Sequence, residues 1–129
     1  MKKTAFILFA LLLSLTYIGA QQKGKPVAKF QSSTHDFGKI AESIGTATCE
    51  FSFTNTGDAP IIINRVAASC GCTTPTYTKE PVLPGKDGKI TVAYSTKGRV
   101  GNIDKTVTVF TNVPDSVYTL RIKGEVLAK

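Results

Sequence analysis

The sequence predicts an all-β protein, an antiparallel β-sandwich of about seven short strands. Apolar and polar residues alternate with a period of two in several segments, which is typical of strands that bury one face. Turn residues separate these segments at intervals of roughly 8–12 residues. No stretch after residue 29 shows the periodicity of an amphipathic helix.

The clearest strand covers residues 46–54, where Ala47, Cys49, Phe51 and Phe53 alternate with polar residues and are predicted to point inward. The same pattern predicts inward side chains at Ile90, Val92, Tyr94, Val107, Val109, Leu120, Ile122 and Val126. The other candidate strands are residues 27–31, 37–40, 61–67, 89–95, 104–111 and 117–126.

The composition indicates one globular domain. The chain has 129 residues, of which 42% are hydrophobic and 19% charged, and this balance excludes an intrinsically disordered chain. It carries 16 Lys and Arg against 9 Asp and Glu, a formal net charge of +7. Because the basic residues are scattered, the charge predicts a solvated basic surface and no nucleic-acid partner.

The first 20 residues form a predicted secretory signal peptide. Lys2 and Lys3 precede an uncharged segment that is almost purely apolar as far as Leu13, and Ala20 precedes the expected cleavage point. An uncleaved membrane anchor is the alternative, but residues 5–20 are shorter than the ~20 apolar residues that a span requires. We therefore expect an exported protein, located in the periplasm, at the cell surface or in the medium, with no membrane span after cleavage.

The segment after the signal peptide, residues 21–29, is polar and contains Gly24 and Pro26. It is predicted to be a flexible tether. The sandwich domain is then expected to cover residues 30–129. At this length the domain can bury roughly two-thirds of its unfolded surface and fold without needing a disulfide.

Several motifs carry a resemblance to a known family. They are Phe37-Gly38-Lys39-Ile40, the string from Phe51 to Gly57 (FSFTNTG), Ser69-Cys70-Gly71-Cys72-Thr73, and Lys97-Gly98-Arg99-Val100-Gly101. Over about residues 37–126 the chain resembles an uncharacterised family of exported bacterial immunoglobulin-like proteins. That family is similar to the Hydin-type and major-sperm-protein-like sandwiches, which act as scaffolding or adhesion modules. The resemblance implies an immunoglobulin-like fold and no particular activity.

Three cysteines leave one without a partner if two of them pair. Cys49 lies on the inward face of its strand and is predicted to pack as a small apolar side chain. Cys70 and Cys72 follow another predicted strand and are expected in a loop at one end of the sandwich, outside its core. A bond between them closes a very small ring, which we expect to be feasible only because Gly71 has access to unusual backbone angles.

Four interpretations of the Cys70-Gly71-Cys72 loop remain open. In the first the sulfurs pin a structural turn, and in the second they exchange disulfides with a partner. In the third they hold a soft metal ion such as Cu(I). In the fourth the loop docks a partner and the sulfurs have no role of their own. Zinc is poorly supported because His35 is the only further nitrogen ligand of the preferred type.

The leading functional hypothesis is a non-enzymatic exported envelope module that binds or scaffolds other proteins. We expect no catalytic residue and no cofactor; the partners are expected to be other envelope or secreted proteins. The alternative is thiol redox or Cu(I) handling by Cys70 and Cys72. The candidate partner-binding loop residues are Ser69, Gly71, Thr73 and Arg99.

Overall fold

A computed structural model describes residues 24–128 and shows a sandwich of two four-stranded sheets. The predicted signal peptide lies outside the described residues. In the part that is described, no helix is long and apolar enough to cross a membrane. The strands are β1 (Ala28–Phe30), β2 (Thr34–Ala41), β3 (Thr46–Asn55), β4 (Ile63–Ala68), β5 (Thr73–Tyr77), β6 (Asp87–Ser95), β7 (Gly101–Thr111) and β8 (Val117–Leu127), with one 3₁₀ turn at Glu42–Ile44.

The two sheets have the strand orders β1-β3-β6-β5 and β2-β8-β7-β4. The chain crosses from one sheet to the other five times, and two of these crossings join edge strands. One of the two runs from β1, which pairs with β3 over only three residues, to β2. The other runs from β4 to β5 at the opposite edge of the sandwich.

Two features of the predicted sandwich need correction. The structure has eight strands, because residues 73–77, expected to be loop, pair with β6 as β5. The pairing is also not wholly antiparallel, since β2 runs parallel to β8 from Thr34 opposite Arg121 to Ala41 opposite Leu127. Sheet membership depends on which strands meet in space, and a single strand's residue pattern does not encode it.

The core confirms the predicted alternation. Every side chain predicted to point inward on β3, β6, β7 and β8 is at most 6% exposed. Isolated residues outside the regular strands complete the core, chiefly Ile61 and Val82, which pair with each other through two backbone hydrogen bonds of 2.8 and 2.9 Å. The interior is therefore formed mainly by the period-2 faces of four long strands.

Part of the predicted tether belongs to the domain. Pro26 is buried, and the carbonyl groups of Lys25 and Val27 accept hydrogen bonds from the backbone N–H groups of Asp58 and Thr56, each 2.9 Å long. These bonds extend the pairing of β1 with β3 into the following turn. Residues 25–29, which the sequence assigned to the tether, are thus paired with and packed against the domain.

Candidate functional site

The Cys70-Gly71-Cys72 turn connects the two sheets. It follows β4 at the edge of one sheet and precedes β5 at the edge of the other. Cys70 and Cys72 are joined by a disulfide, with their Cα atoms 5.3 Å apart. The structure therefore pairs the two cysteines that are nearest in sequence. The bond closes the turn at the edge of the sandwich where β4 and β5 lie.

The two sulfur-bearing residues differ in exposure. Cys72 is only 4% exposed and belongs to the hydrophobic core, whereas Cys70 is half-buried and packs against that core. The expectation that both sulfurs lie outside the interior is therefore wrong for Cys72. The reason is strand pairing: the carbonyl oxygen of Cys72 accepts a 2.9 Å hydrogen bond from the N–H of Ser95, which places Cys72 in register with β6.

Two hydrogen-bond donors lie next to the disulfide. The backbone N–H of Cys72 donates to Sγ of Cys70 at 3.1 Å. The hydroxyl oxygen of Thr73 lies 3.8 Å from Sγ of Cys70 and 3.7 Å from Sγ of Cys72. Because a sulfur in a disulfide carries no proton, the Thr73 hydroxyl is the donor, and it has one proton for the two contacts. Thr73 is itself only 4% exposed, so its hydroxyl faces the sulfurs and away from solvent.

Gly71 does not adopt the unusual backbone conformation that we expected. Its φ is not among the positive values that six other glycines of the described chain adopt. Gly71 is exposed, and a Cβ added to it would meet no heavy atom within 4 Å. The turn therefore closes without using the left-handed region, and Gly71 adds no side chain to its exposed surface.

Cys49 is a separate, unpaired thiol within the described domain. It lies on β3 opposite Val92, whose other neighbour is Pro75 of β5, so β6 separates Cys49 from the Cys70–Cys72 turn. Burial raises the pKa of the Cys49 thiol from 9.0 to about 11. The thiol is therefore protonated at neutral pH, which confirms the prediction of a small packed side chain.

The four predicted partner-binding residues do not form one exposed loop. Ser69 is exposed, but its polar groups are engaged within the domain: its N–H donates to the carbonyl of Thr106, and its hydroxyl accepts from the N–H of Thr106. Thr73 is buried against the disulfide. Arg99 is exposed in a different connection, between β6 and β7. Of these four residues, therefore, only Gly71 and Arg99 are exposed without a side-chain hydrogen bond within residues 24–128.

The geometry also bears on metal binding. In residues 24–128 there is no group of three or more His, Cys, Asp or Glu side chains that could hold a metal ion. Cu(I) requires thiolate ligands, and a disulfide offers none. Cys70 and Cys72 could hold such an ion only after reduction.

A second candidate site lies on the outer edge of β3. β6 pairs with β3 from Thr46 to Thr54, whereas β1 pairs only with residues 53–55 on the other side. The Ser52 carbonyl accepts a hydrogen bond from the Gln31 N–H, and the Thr56 N–H donates to the Val27 carbonyl, so both groups point to the β1 side. Backbone groups alternate in direction along a strand, so the N–H and C=O groups of Thr46, Thr48 and Glu50 also point to this side.

No strand of the described chain pairs with β3 there. We call the outward backbone groups of Thr46, Thr48 and Glu50 the β3 free edge. All three residues are exposed, and no hydrogen bond to these backbone groups occurs within residues 24–128. Sequence reasoning missed this site because the pattern of β3 shows which side chains point inward but not where the neighbouring strand stops.

The other edges are less suited to pairing with an added strand. On β5 the outward positions are Thr73, Pro75 and Tyr77; proline has no N–H, and the N–H of Thr73 already donates to the carbonyl of Cys70. The register shifts within β2, between Asp36 and Lys39, and within β4, between residues 63 and 65. Such irregularities bend an edge and interrupt its row of hydrogen-bonding groups.

The chain is a β-sandwich domain whose two notable sites are a closed disulfide turn and a free strand edge. It belongs to a family described as a protein of unknown function (DUF1573), whose model matches residues 28–126. The similarity of this family to the Hydin-type and major-sperm-protein-like sandwiches, and the role of the motifs as its signature, remain predictions. No curated protein matches the chain.

Solved structures share the fold at low sequence identity. A protein of unknown function from Porphyromonas gingivalis W83 has a TM-score of 0.67 and 17% identity over 84% of this chain, which spans only 51% of that structure. The VesB protease from Vibrio cholerae has a TM-score of 0.61 and 13% identity, covering 76% of this chain and 31% of its own. A family 123 glycoside hydrolase from Clostridium perfringens has a TM-score of 0.60 and 12% identity, and the match covers 81% of this chain and 27% of the hydrolase. At these identities the comparisons establish the fold alone.

Proposed function

We propose that this protein is an exported, non-enzymatic envelope module that binds other envelope or secreted proteins through the β3 free edge. The partner contributes an extended segment that pairs with β3 as an added strand. The observation that carries the proposal is the early end of β1, which leaves three consecutive outward positions of a central, fully formed strand without a neighbour.

The β3 free edge offers regular backbone geometry. β3 is paired with β6 without interruption from Thr46 to Thr54, and the side chains of Cys49 and Phe51 fix it to the core. An added strand therefore meets a rigid template and makes main-chain hydrogen bonds without rearranging the domain. Since β1 occupies the edge from Phe53 onward, the segment that fits is about five residues long.

A small cavity lies where such a segment would meet β1. Its volume is about 100 Å³, and it opens at the point where the chain leaves one sheet for the other. It is lined by Gln31, Ser32, Thr34, His35, Glu50, Phe51 and Ser52. In strand addition the backbone supplies affinity and side-chain pockets supply specificity. The polar lining favours a partner with a short polar side chain at the end of its paired segment.

Hydrogen exchange of the backbone amides tests this proposal directly. A photocrosslinker placed at residue 48 in the native host is used to obtain the partner, and exchange is then compared in the free and bound domain. The amides of Thr46, Thr48 and Glu50 should exchange rapidly when free and become protected when bound. Those of Ala47, Cys49 and Phe51 bond to β6 and should be slow in both states.

The matched variants are Thr48→Pro and Thr48→Val. Proline removes the outward N–H without removing a bond to β6, whereas valine keeps the N–H and the shape of the side chain. Thr48→Pro should abolish partner binding and Thr48→Val should preserve it, with both domains remaining folded by circular dichroism. Equal binding by both variants, or bound-state protection located elsewhere, would contradict the proposal.

A further inference from the structure

We propose that the Cys70–Cys72 disulfide is a thiol–disulfide exchange site at which a thiolate of a protein dithiol attacks Sγ of Cys70. This site is independent of the β3 free edge. Three observations carry the inference: the unequal exposure of the two cysteines, the hydrogen-bond donors around the sulfurs, and the open space outside Gly71.

The direction of attack follows from burial. An incoming thiolate must approach along the axis of the S–S bond, on the side of the sulfur that it attacks. Cys72 is 4% exposed and is enclosed by the core, whereas Cys70 is half-buried. Gly71 has no side chain to cover the turn, and nothing lies within 4 Å of its ideal Cβ position. Because Cys70 is the more exposed of the two cysteines and its neighbour Gly71 adds no side chain, we assign the attack to Cys70.

The exchange proceeds in two balanced steps. The partner thiolate forms a bond with Sγ of Cys70 while the Cys70–Cys72 bond breaks, and Cys72 leaves as a thiolate that takes up a proton. The second thiolate of the partner then attacks the partner's own sulfur in the mixed disulfide, and Cys70 leaves as a thiolate. Two electrons pass from the partner dithiol, which becomes a disulfide, to Cys70 and Cys72. The two protons lost by the partner are gained by these cysteines.

Each leaving sulfur has a hydrogen-bond donor in place. The Cys72 N–H lies 3.1 Å from Sγ of Cys70, the sulfur released in the second step. The hydroxyl of Thr73 lies within 3.8 Å of both sulfurs and can turn toward whichever one carries the charge. Hydrogen bonds to a thiolate favour its charged form and so make it a better leaving group. A turn that only pins a loop has no need of a buried hydroxyl between its sulfurs.

Reduced glutathione is the probe for the site. The full, oxidised domain is incubated with glutathione, quenched with acid and digested, and the mixed disulfide is mapped by tandem mass spectrometry. Glutathione should appear on Cys70 and not on Cys72. Glutathione on Cys72, equal labelling of both, or a disulfide that resists glutathione until the domain is unfolded would overturn the proposal.

Two threonine variants separate chemistry from stability. Thr73→Val removes the hydroxyl between the sulfurs and keeps the side-chain shape, whereas Thr74→Val changes the exposed neighbour on the same strand. Thr73→Val should slow reduction by glutathione about three- to tenfold, as expected for the loss of one ordinary hydrogen bond. Thr74→Val should leave the rate unchanged, and so should Cys49→Ala. Equal rates for the Thr73 and Thr74 variants, with both domains folded, would overturn the role of the hydroxyl.

Discussion

The carbonyl oxygen of Gly38 lies 2.9 Å from the position that a Cβ would occupy on Gly124. Gly38 is on β2 within the register shift between Asp36 and Lys39, and Gly124 is on the partner strand β8. Gly124 also has a φ of 150°, which side-chain-bearing residues rarely adopt. The absence of a side chain at Gly124 therefore allows the irregular strand β2 to stay close to β8.

Gly124→Ala should destabilise the domain by about 1–3 kcal/mol, because it combines a steric conflict with backbone strain. Urea unfolding measures the change. Gly71→Ala is the matched control: its φ is not positive and its ideal Cβ meets no atom within 4 Å, so its effect should stay within about 0.5 kcal/mol. Similar losses for both variants would contradict the close approach of Gly38 to Gly124.

Asn55→Ala should cost about 2–4 kcal/mol. Asn55 is fully buried; its Nδ2 donates to the carbonyls of Ala59 and Val82 at 2.7 and 2.9 Å, and its Oδ1 accepts from the N–H of Gly57 at 2.9 Å. Truncation takes away the partner of the Ala59 carbonyl and of the Gly57 N–H and leaves a space where the fully buried side chain was, while the Val82 carbonyl keeps its bond from the N–H of Ile61. Chemical denaturation of the purified domain provides the measurement.

The control for that prediction is Asn112→Ala. Asn112 makes comparable bonds, accepting from the N–H of Ile62 at 2.8 Å and donating to the carbonyl of Pro60 at 2.9 Å, but it is exposed. Water can replace its side chain, so we expect a loss of less than about 1 kcal/mol. The prediction for Asn55 fails if the two variants lose the same stability.

The Cys49 thiol should make the free energy of unfolding fall as the pH rises in the alkaline range. Its pKa is 9.0 in an exposed thiol and about 11 in the folded domain, because burial disfavours the thiolate. The unfolded chain therefore releases this proton at lower pH than the native state, and the contribution to stability is lost as pH rises from 9 toward 11.

Cys49→Ala removes this pH dependence. The free energy of unfolding of the unmodified protein should fall more steeply between those pH values than that of the variant, as followed by urea titration at several pH values. Parallel curves for the two proteins would show that the Cys49 thiol ionises equally in both states.

Reduction of the Cys70–Cys72 disulfide should lower stability by only about 1–2 kcal/mol, since the loop that it closes is very short. The strands on either side of the turn are held by β6 and β7, so the secondary structure should persist. Unfolding of the Cys70→Ala/Cys72→Ala variant, compared with the oxidised domain, measures the difference. Loss of the β-sheet circular dichroism signal on reduction would show that the disulfide is required for the fold.

The predicted interior was accurate because burial in a strand depends on local alternation. Phe51 and Phe53, for example, are recognisable as inward residues from their polar neighbours alone. β5 was missed because residues 73–77 (TTPTY) lack apolar alternation, and their strand conformation depends on pairing with the far longer β6. The parallel pairing of β2 with β8 was missed for a related reason, since the partner of an edge strand is chosen by the whole fold.

The candidate sites were predictable only in part. The Cys70-Gly71-Cys72 tripeptide drew attention as a sequence motif, but the burial of Cys72 and the position of the Thr73 hydroxyl result from β5 beginning at Thr73. Arg99 and Ser69 were grouped with the motif as exposed polar residues, and Ser69 proved to be bonded to Thr106. The β3 free edge left no trace in the sequence because it arises from where β1 ends.

The parallel contact between β2 and β8 has a consequence for how the domain is made. β2 lies among the first residues of the domain, yet its sole neighbour in the sheet is β8, the last strand of the described domain. During synthesis the ladder between β2 and β8 can close only after β8 has emerged. Pairing between strands so distant in sequence slows folding.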